Sequence, residues 1–310
     1  MSASTAHIPG GVEPGIRPWP YRLPATVRIG RVRLAVSNLQ RSVAFYTDVI
    51  GLGVRSESST PQGKLARLGV NGNPQVLLEL EEIPGVQSIG QRARLGLYHT
   101  AFLLPSREAL ARFVRHLHTK SVPFGSSDHL YSEALYLIDP DGLSVEVYAD
   151  RARDLWTIEG QELVTGVYPL NFRELLAVDN GAWSSAPAGT KVGHVHFYVG
   201  DLQQAKRFYH QALGLDIMTW RYPGALFTAA GGYHHHVGLN TWAAGSPVAS
   251  RADARLLFWE LLLPSKDDVQ RAKASCQREG YSVGTQDGVT IVTDPWRLRV
   301  ALIIEGQHRL

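Results

Sequence analysis

Runs in which apolar and polar residues alternate, each followed by a stretch with apolar positions three or four apart, recur along the chain. From Gly30, GRVRLAVSNLQRSVAFYTDVIGLG places Val32, Leu34 and Val36 on one face of a predicted strand, and Leu39, Val43, Tyr46 and Ile50 on one stripe of a predicted helix. Asn38 is positioned to cap that helix and Gly51 to end it. From Gly193, GHVHFYVGDLQQAKRFYHQALGLD repeats the pattern without a gap: Val195, Phe197 and Val199, the cap Asp201, the stripe Leu202, Ala205, Tyr209 and Leu213, and the stop Gly214. Short strands follow in both, the last predicted at 75–80 and at 233–239. A second pair also matches, LYHTAFLLPSREALARFVRHL from Leu97 and LLFWELLLPSKDDVQRAKASC from Leu256, with Ser106 and Ser265 as caps. Both run to an Asp-Pro turn, Asp139-Pro140-Asp141-Gly142 and Asp294-Pro295-Trp296-Arg297, and finish in a strand.

The unit is therefore βαβββ, used four times from near residues 29, 96, 192 and 255, and the predicted fold class is α+β. The predicted division is an N-terminal arm (1–28), a first two-unit domain (29–150), a linker (151–190) and a second two-unit domain (191–305). The arm is rich in Pro and Gly and reads as flexible. The linker, with Pro169, Gly181, Pro187 and Gly189, reads as a tether carrying one short helix at 172–177. A chain of 310 residues with 44% apolar content can fill one large or two ordinary cores. The single cysteine, Cys276, excludes an internal disulfide framework, and no run reaches the roughly 20 apolar residues that span a bilayer. A cytoplasmic protein that uses neither membrane nor nucleic acid is expected, since the net charge is only +3 and no Lys/Arg run stands out. Self-association is left open.

Histidine changes this picture. The 12 histidines include the clusters His194/His196 and His234/His235/His236. His99, Glu146, His194 and His235 hold corresponding places in the inner two units, where the outer units carry Arg31, Glu79, Phe258 and Ala301. Side chains that bind metals are thus concentrated in the middle of the chain.

The tandem βαβββ pattern, the NLxxSVxFY and DLxxAKxFY helices and the Asp-Pro-Asp-Gly-x-x-x-Glu ending resemble the vicinal oxygen chelate superfamily, which includes glyoxalases, bleomycin-resistance proteins and extradiol dioxygenases. The segments 96–105, 127–136 and 231–242 resemble two-domain bacterial catechol 2,3-dioxygenases. The resemblance implies two cupped mixed sheets, each built from two units, with a metal on the first and last strands of a pair. Pairing the second unit with the third would gather His99, Glu146 and His194, a two-histidine, one-carboxylate set that leaves three positions of Fe(II) or Mn(II) free for a catechol and O2. It further implies His235 as the base, with Tyr136 and His129 lining the substrate pocket. His196 shares a face with His194 and rivals it as a ligand. Pairing in sequence order would instead offer Glu79/His99/Glu146 or His194/His235/Glu260, a glyoxalase-type lyase or transferase arrangement. A metal-free aromatic-binding protein is the third reading. Trp220, Tyr222, Phe227, Tyr233 and Trp242 are candidates for an apolar pocket, and loops 55–63 and 245–252 for tuning it.

Overall fold

The computed structural model describes residues 13–307 together with the strand Ala6–His7. That strand, β1, is followed by the first unit: β2 (Arg28–Val36), α1 (Leu39–Asp48), β3 (Gly53–Ser59), β4 (Lys64–Gly69) and β5 (Leu78–Glu82). The second unit is β6 (Gly96–Leu103), α2 (Arg107–Thr119), β7 (Gly125–Asp128), β8 (Ser132–Ile138) and β9 (Ser144–Asp150). A connection holds β10 (Thr157–Glu159), β11 (Glu162–Leu163) and α3 (Phe172–Ala177). The third unit is β12 (Lys191–Tyr198), α4 (Leu202–Ala205, continued by a π-helical stretch Lys206–Ala212), β13 (Asp216–Thr219), β14 (Ala225–Ala229) and β15 (Val237–Asn240). The fourth is β16 (Arg255–Leu263), α5 (Lys266–Arg278), β17 (Val283–Gln286), β18 (Val289–Thr293) and β19 (Arg299–Ile304).

The local signals act as predicted. Asn38, Ser106, Asp201 and Ser265 each accept a backbone N–H three residues on. Gly51 and Gly214, at φ +86° and +92°, take the left-handed conformation that ends α1 and the π-helical stretch after α4. Val32, Leu34 and Val36 of β2, Val195 and Phe197 of β12, and Val199 just beyond it are buried in one hydrophobic cluster that both sheets share. The pleat therefore turns Arg31 and Arg33, and likewise His194 and His196, to the opposite faces.

Two eight-stranded mixed sheets result. One runs β13-β14-β15-β12-β6-β9-β8-β7 and joins the third unit to the second; the other runs β17-β18-β19-β16-β2-β5-β4-β3 and joins the fourth to the first. In each, two first strands meet antiparallel at the centre, β12 with β6 and β16 with β2. The boundary between the sequence halves is thus not a boundary between sheets. Within each half, a helix tyrosine ties one sheet to the other. Tyr46 of α1 donates to Asp139 (3.1 Å) and Tyr209 donates to Asp294 (3.0 Å), both in the Asp-Pro turns of the following unit. Burial pushes these two carboxyls up to about 7, against the backbone N–H groups that hold them down.

Residues 13–28, expected to belong to a flexible arm, are packed. Leu23 and Val27 are buried, Ile16 bridges to Ile217, and Arg22 grips the buried Asp216 carboxylate with two bonds of 2.8 and 2.6 Å. Residues 1–5 and 8–12 of that arm lie outside the described residues. The connection 151–190 is not a free tether either. Its predicted helix is present as α3, but β1, β10 and β11 also form a small antiparallel sheet, and Trp156 is buried beside Tyr131 and Met218. Aromatic anchors inside a Pro/Gly-rich stretch outweighed its composition. No helix among the described residues is long and apolar enough to cross a membrane.

The corresponding face of the second sheet carries a buried charge network beside an apolar cluster that includes Phe258, Ile291 and Ala301. Arg31, 4% exposed, donates to Glu260 Oε1 (2.6 Å) and Glu79 Oε1 (2.8 Å). Glu79 also accepts from Arg33 (2.6 Å) and Arg67 (2.9 Å), and the Arg33 guanidinium lies 4.9 Å from the centre of the Phe258 ring. Removing one partner of such a buried network strands the others, at a typical loss of about 3–5 kcal/mol. Arg31→Met is expected to lower unfolding free energy in guanidinium chloride by about that amount; a change below about 1 kcal/mol would show that the network is not structural.

Candidate metal centre and active site

Strand register brings the inner-unit candidates together. His194 on β12 stands opposite Ala101 on β6, Ala101 opposite Glu146 on β9, and Glu146 opposite Tyr136 on β8. His99, two residues before Ala101, points to the same face and pairs with His196. The alanine methyl between His194 and Glu146 leaves room for the larger side chains to converge. His99 Nε2 and Glu146 Oε2 are 3.0 Å apart, His194 Nε2 and Glu146 Oε2 3.2 Å, and the two Nε2 atoms 3.3 Å. All three residues are buried, and among the described residues they are the group whose donor atoms, within 4.8 Å of one another, could hold a metal ion.

Burial alone would raise the Glu146 carboxyl, but the adjoining His194 and His99 imidazoles outweigh it and hold the group well below its ordinary value. Burial pushes His194 down to about 4 despite the same carboxylate. The site thus offers a carboxylate beside a neutral imidazole, the protonation states in which both are ligands. No protein group bonds the buried Nδ1 atoms of His99 and His194 among the described residues. The donor set fits Fe(II) or Mn(II) as a two-histidine, one-carboxylate face.

His196 is excluded from that set by its own partner. Asn240 Oδ1 accepts from Trp242 N–H (3.0 Å), so its amide nitrogen faces His196 Nε2 (3.0 Å) and donates to it. The ring leans on Gly238, where a Cβ would come within 2.8 Å of it. Burial, followed by His99 and His194, keeps His196 well below its ordinary pKa, and hence neutral.

A cavity of about 340 Å³ opens over two of the three donors, His99 and Glu146; it is walled by Tyr98, Phe227, Trp242, Tyr222 and Tyr131 and also reached by His196 and His235. His235 lies in the turn before β15, not on the strand as predicted, and its ring centre is 4.1 Å from that of His194. Burial and the neighbouring imidazoles, His194 first, hold it far below its ordinary value, so it is neutral at pH 7. Because the turn breaks the alternation, its neighbours do not simply face the other way. His234 bonds to Asp150 (2.9 Å), and His236 Nδ1 accepts from Ala230 N–H (3.2 Å). His129, in the loop between β7 and β8, also reaches the cavity. Its Nδ1 donates to the Gly166 carbonyl (2.7 Å), which leaves Nε2 to accept from the Tyr136 hydroxyl (2.7 Å). Burial raises the Tyr136 phenol well above its ordinary pKa, with Glu146 adding to the effect.

Several expectations are corrected. Glu79 and Glu260 belong to the other sheet, on Arg31, and take no part in this centre. Trp220 packs against the shared core, and Tyr233 bonds to Tyr148 (2.7 Å) outside the cavity. Loop 55–63 lies in the β3–β4 hairpin of the second sheet, and Val248 to Arg251 line a different cleft. The cavity rim is built instead by Gly125 to Ser127 and by Thr165, Gly166 and Val167 of the connection. Nothing in the composition of the connection marked those residues. Their signal is the antiparallel bridge between Asp128 and Tyr168, a tertiary contact.

Comparison with known proteins identifies the family. The profile of the Glyoxalase/Bleomycin resistance protein/Dioxygenase superfamily matches residues 28–147 and 191–302. A catechol-2,3-dioxygenase of Bacillus subtilis is 38% identical over 277 residues, 86% of this chain and 93% of that one. Among solved structures, a putative dioxygenase from Bacillus subtilis superposes with a TM-score of 0.67 at 14% identity, covering 93% of this chain and 87% of that one. Glyoxalase I from Zea mays gives 0.55 at 15%, covering 90% and 92%. These two likenesses concern the fold. The chain belongs to the Glyoxalase/Bleomycin resistance protein/Dioxygenase superfamily and is, within it, a catechol-2,3-dioxygenase-like enzyme.

Proposed function

We propose that the protein is an extradiol ring-cleaving dioxygenase, an oxidoreductase of aromatic compound catabolism that adds O2 to a catechol-type diol at one mononuclear non-haem metal. The observation that carries this reading is the convergence of His99 Nε2, His194 Nε2 and one Glu146 oxygen below an aromatic-walled cavity, and the 38% identical catechol-2,3-dioxygenase supports it. His99, Glu146 and His194 would hold Fe(II), with Mn(II) suited to the same donors. When bound, such an ion acidifies the diol hydroxyls and makes dioxygen reactive toward the ring.

The side chains around it have separable roles. Phe227, Trp242 and Tyr98 provide flat apolar walls that hold an aromatic ring and keep out water. His235, neutral and facing the same cavity, takes a proton from a substrate hydroxyl. The Tyr136 hydroxyl gives its proton to His129, so its oxygen lone pairs remain available to a hydroxyl group in the cavity. The Gly166 carbonyl fixes that direction by occupying the other ring nitrogen of His129.

Three outcomes follow. Protein loaded with Fe(II) without air and then given catechol and O2 is expected to consume oxygen and form a ring-opened, visibly absorbing product; no uptake with any catechol tested would end this reading. His99→Ala and His194→Ala should each abolish binding of the same single ion by metal analysis, whereas loss in only one variant would mean separate sites. His235→Ala should keep the ion yet lower kcat by about 10²- to 10⁴-fold, the usual worth of a general base.

A further inference from the structure

His235 makes its hydrogen bond to the protein through Nδ1, and its partner is the neighbouring ring. His235 Nδ1 and His234 Nδ1 are 2.8 Å apart, and His234 Nε2 is 2.9 Å from Asp150 Oδ1. His234 is 1% exposed and touches no cavity over the metal ligands. Its ring is nonetheless held with unusual care. Tyr131 stacks on one side at 4.4 Å and 8°, Tyr233 lies at 4.1 Å, and Trp156 from the connection lies at 5.6 Å. Asp150 ends β9, on the same face as Glu146 and Tyr148, and borders a separate cleft with Arg153, Lys191 and His236.

We infer that His234 and Asp150 are positioning residues that fix the tautomer of His235, so that its unprotonated Nε2 faces the cavity. The inference rests on the dioxygenase reading for its purpose, and on hydrogen-bond direction for its content. A carboxylate only accepts, so the proton between Asp150 and His234 sits on His234 Nε2. In a neutral ring the other nitrogen, Nδ1, then carries a lone pair. The 2.8 Å contact requires one proton, and His235 Nδ1 must supply it. Nε2 of His235 is left without a proton and can receive one from a substrate hydroxyl. Without this chain of bonds the ring would be free to hold its proton on Nε2, where it could not act as a base. The same logic governs His129, whose tautomer is set by the Gly166 carbonyl. In both cases the orientation of the second nitrogen decides what the first can do.

The test reads the tautomer directly. Full-length protein labelled with 15N and loaded with zinc, a diamagnetic substitute for the proposed ion, gives long-range proton–nitrogen correlations for each imidazole. The expected wild-type pattern is a protonated Nδ1 and an unprotonated Nε2 on His235. His234→Phe keeps a flat ring between the tyrosines but removes the acceptor, and Asp150→Leu removes the anchor at the far end. In both, the His235 proton should shift to Nε2. With iron bound, kcat should fall roughly 10- to 100-fold, the range seen when partners of metal-site histidines are removed, with KM and iron content little changed. A wild-type His235 protonated at Nε2, including the case of a doubly protonated His234 that donates from both nitrogens, would overturn the inference. So would an unchanged tautomer in both variants. The spectra need no turnover, so failure of wild-type protein to cleave catechols would refute the dioxygenase reading and leave the tautomer result standing.

Discussion

The antiparallel seam between β6 and β12 is the constraint on which the site depends. Among the described residues, neither sequence half alone brings the donor atoms of two histidines and a carboxylate together. Only when the second and third units share a sheet do His99 and Glu146, from one half, meet His194 from the other. The register is equally strict, because a slip of one residue along β12 would send His194 into the shared core and Val195 into the cavity. Val195, Phe197 and Val199 are buried with Val32 and Leu34, so the hydrophobic face that joins the sheets also sets which histidines look inward. Packing thus fixes the chemistry.

The outer pair of units has the same scaffold and a different filling. Arg31 stands where the third unit has His194, Phe258 where the second has His99, and Ala301 where it has Glu146. Two carboxylates of that face, Glu79 and Glu260, are both bonded by the Arg31 guanidinium. A covalently attached cation balances the buried charge permanently and accepts no further ligand. The units therefore differ at these inward positions, while the alternating residues behind them are apolar.

Much of this was legible in the sequence because its signals are local and periodic. Strand alternation, the four caps at Asn38, Ser106, Asp201 and Ser265, and the glycine stops act within a few residues; the caps and stops appear where predicted, while the strands expected at 75–80 and 233–239 run over Leu78–Glu82 and Val237–Asn240. The correspondence of the units made His99, Glu146 and His194 visible as a group. What could not be read depends on contacts distant along the chain. Trp156 and the 165–167 rim sit in a segment whose Pro/Gly content suggested a tether, and Leu23 and Arg22 anchor a segment that looked flexible. The HHH run misled in another way. Strand periodicity was extended through it, whereas β15 begins only at Val237 and the turn lets all three rings find different partners.

The two faces also pose one electrostatic problem with two answers. Gathering carboxylates in a buried cup is unfavourable unless a cation or donors compensate them. In the outer sheet three arginines converge on Glu79, beside an apolar cluster. In the inner sheet the carboxylate of Glu146 faces the His99 and His194 imidazoles and the Tyr136 phenol, and Ala101 supplies space where the outer sheet has Glu260. The His194 imidazole, held down by burial, offers a lone pair rather than positive charge. An ion held by the proposed ligands would add to the compensation there, and an ion, unlike a guanidinium, can share its coordination with a substrate. The cavity of about 340 Å³ opens on this face, and no arginine is among the described residues that line it.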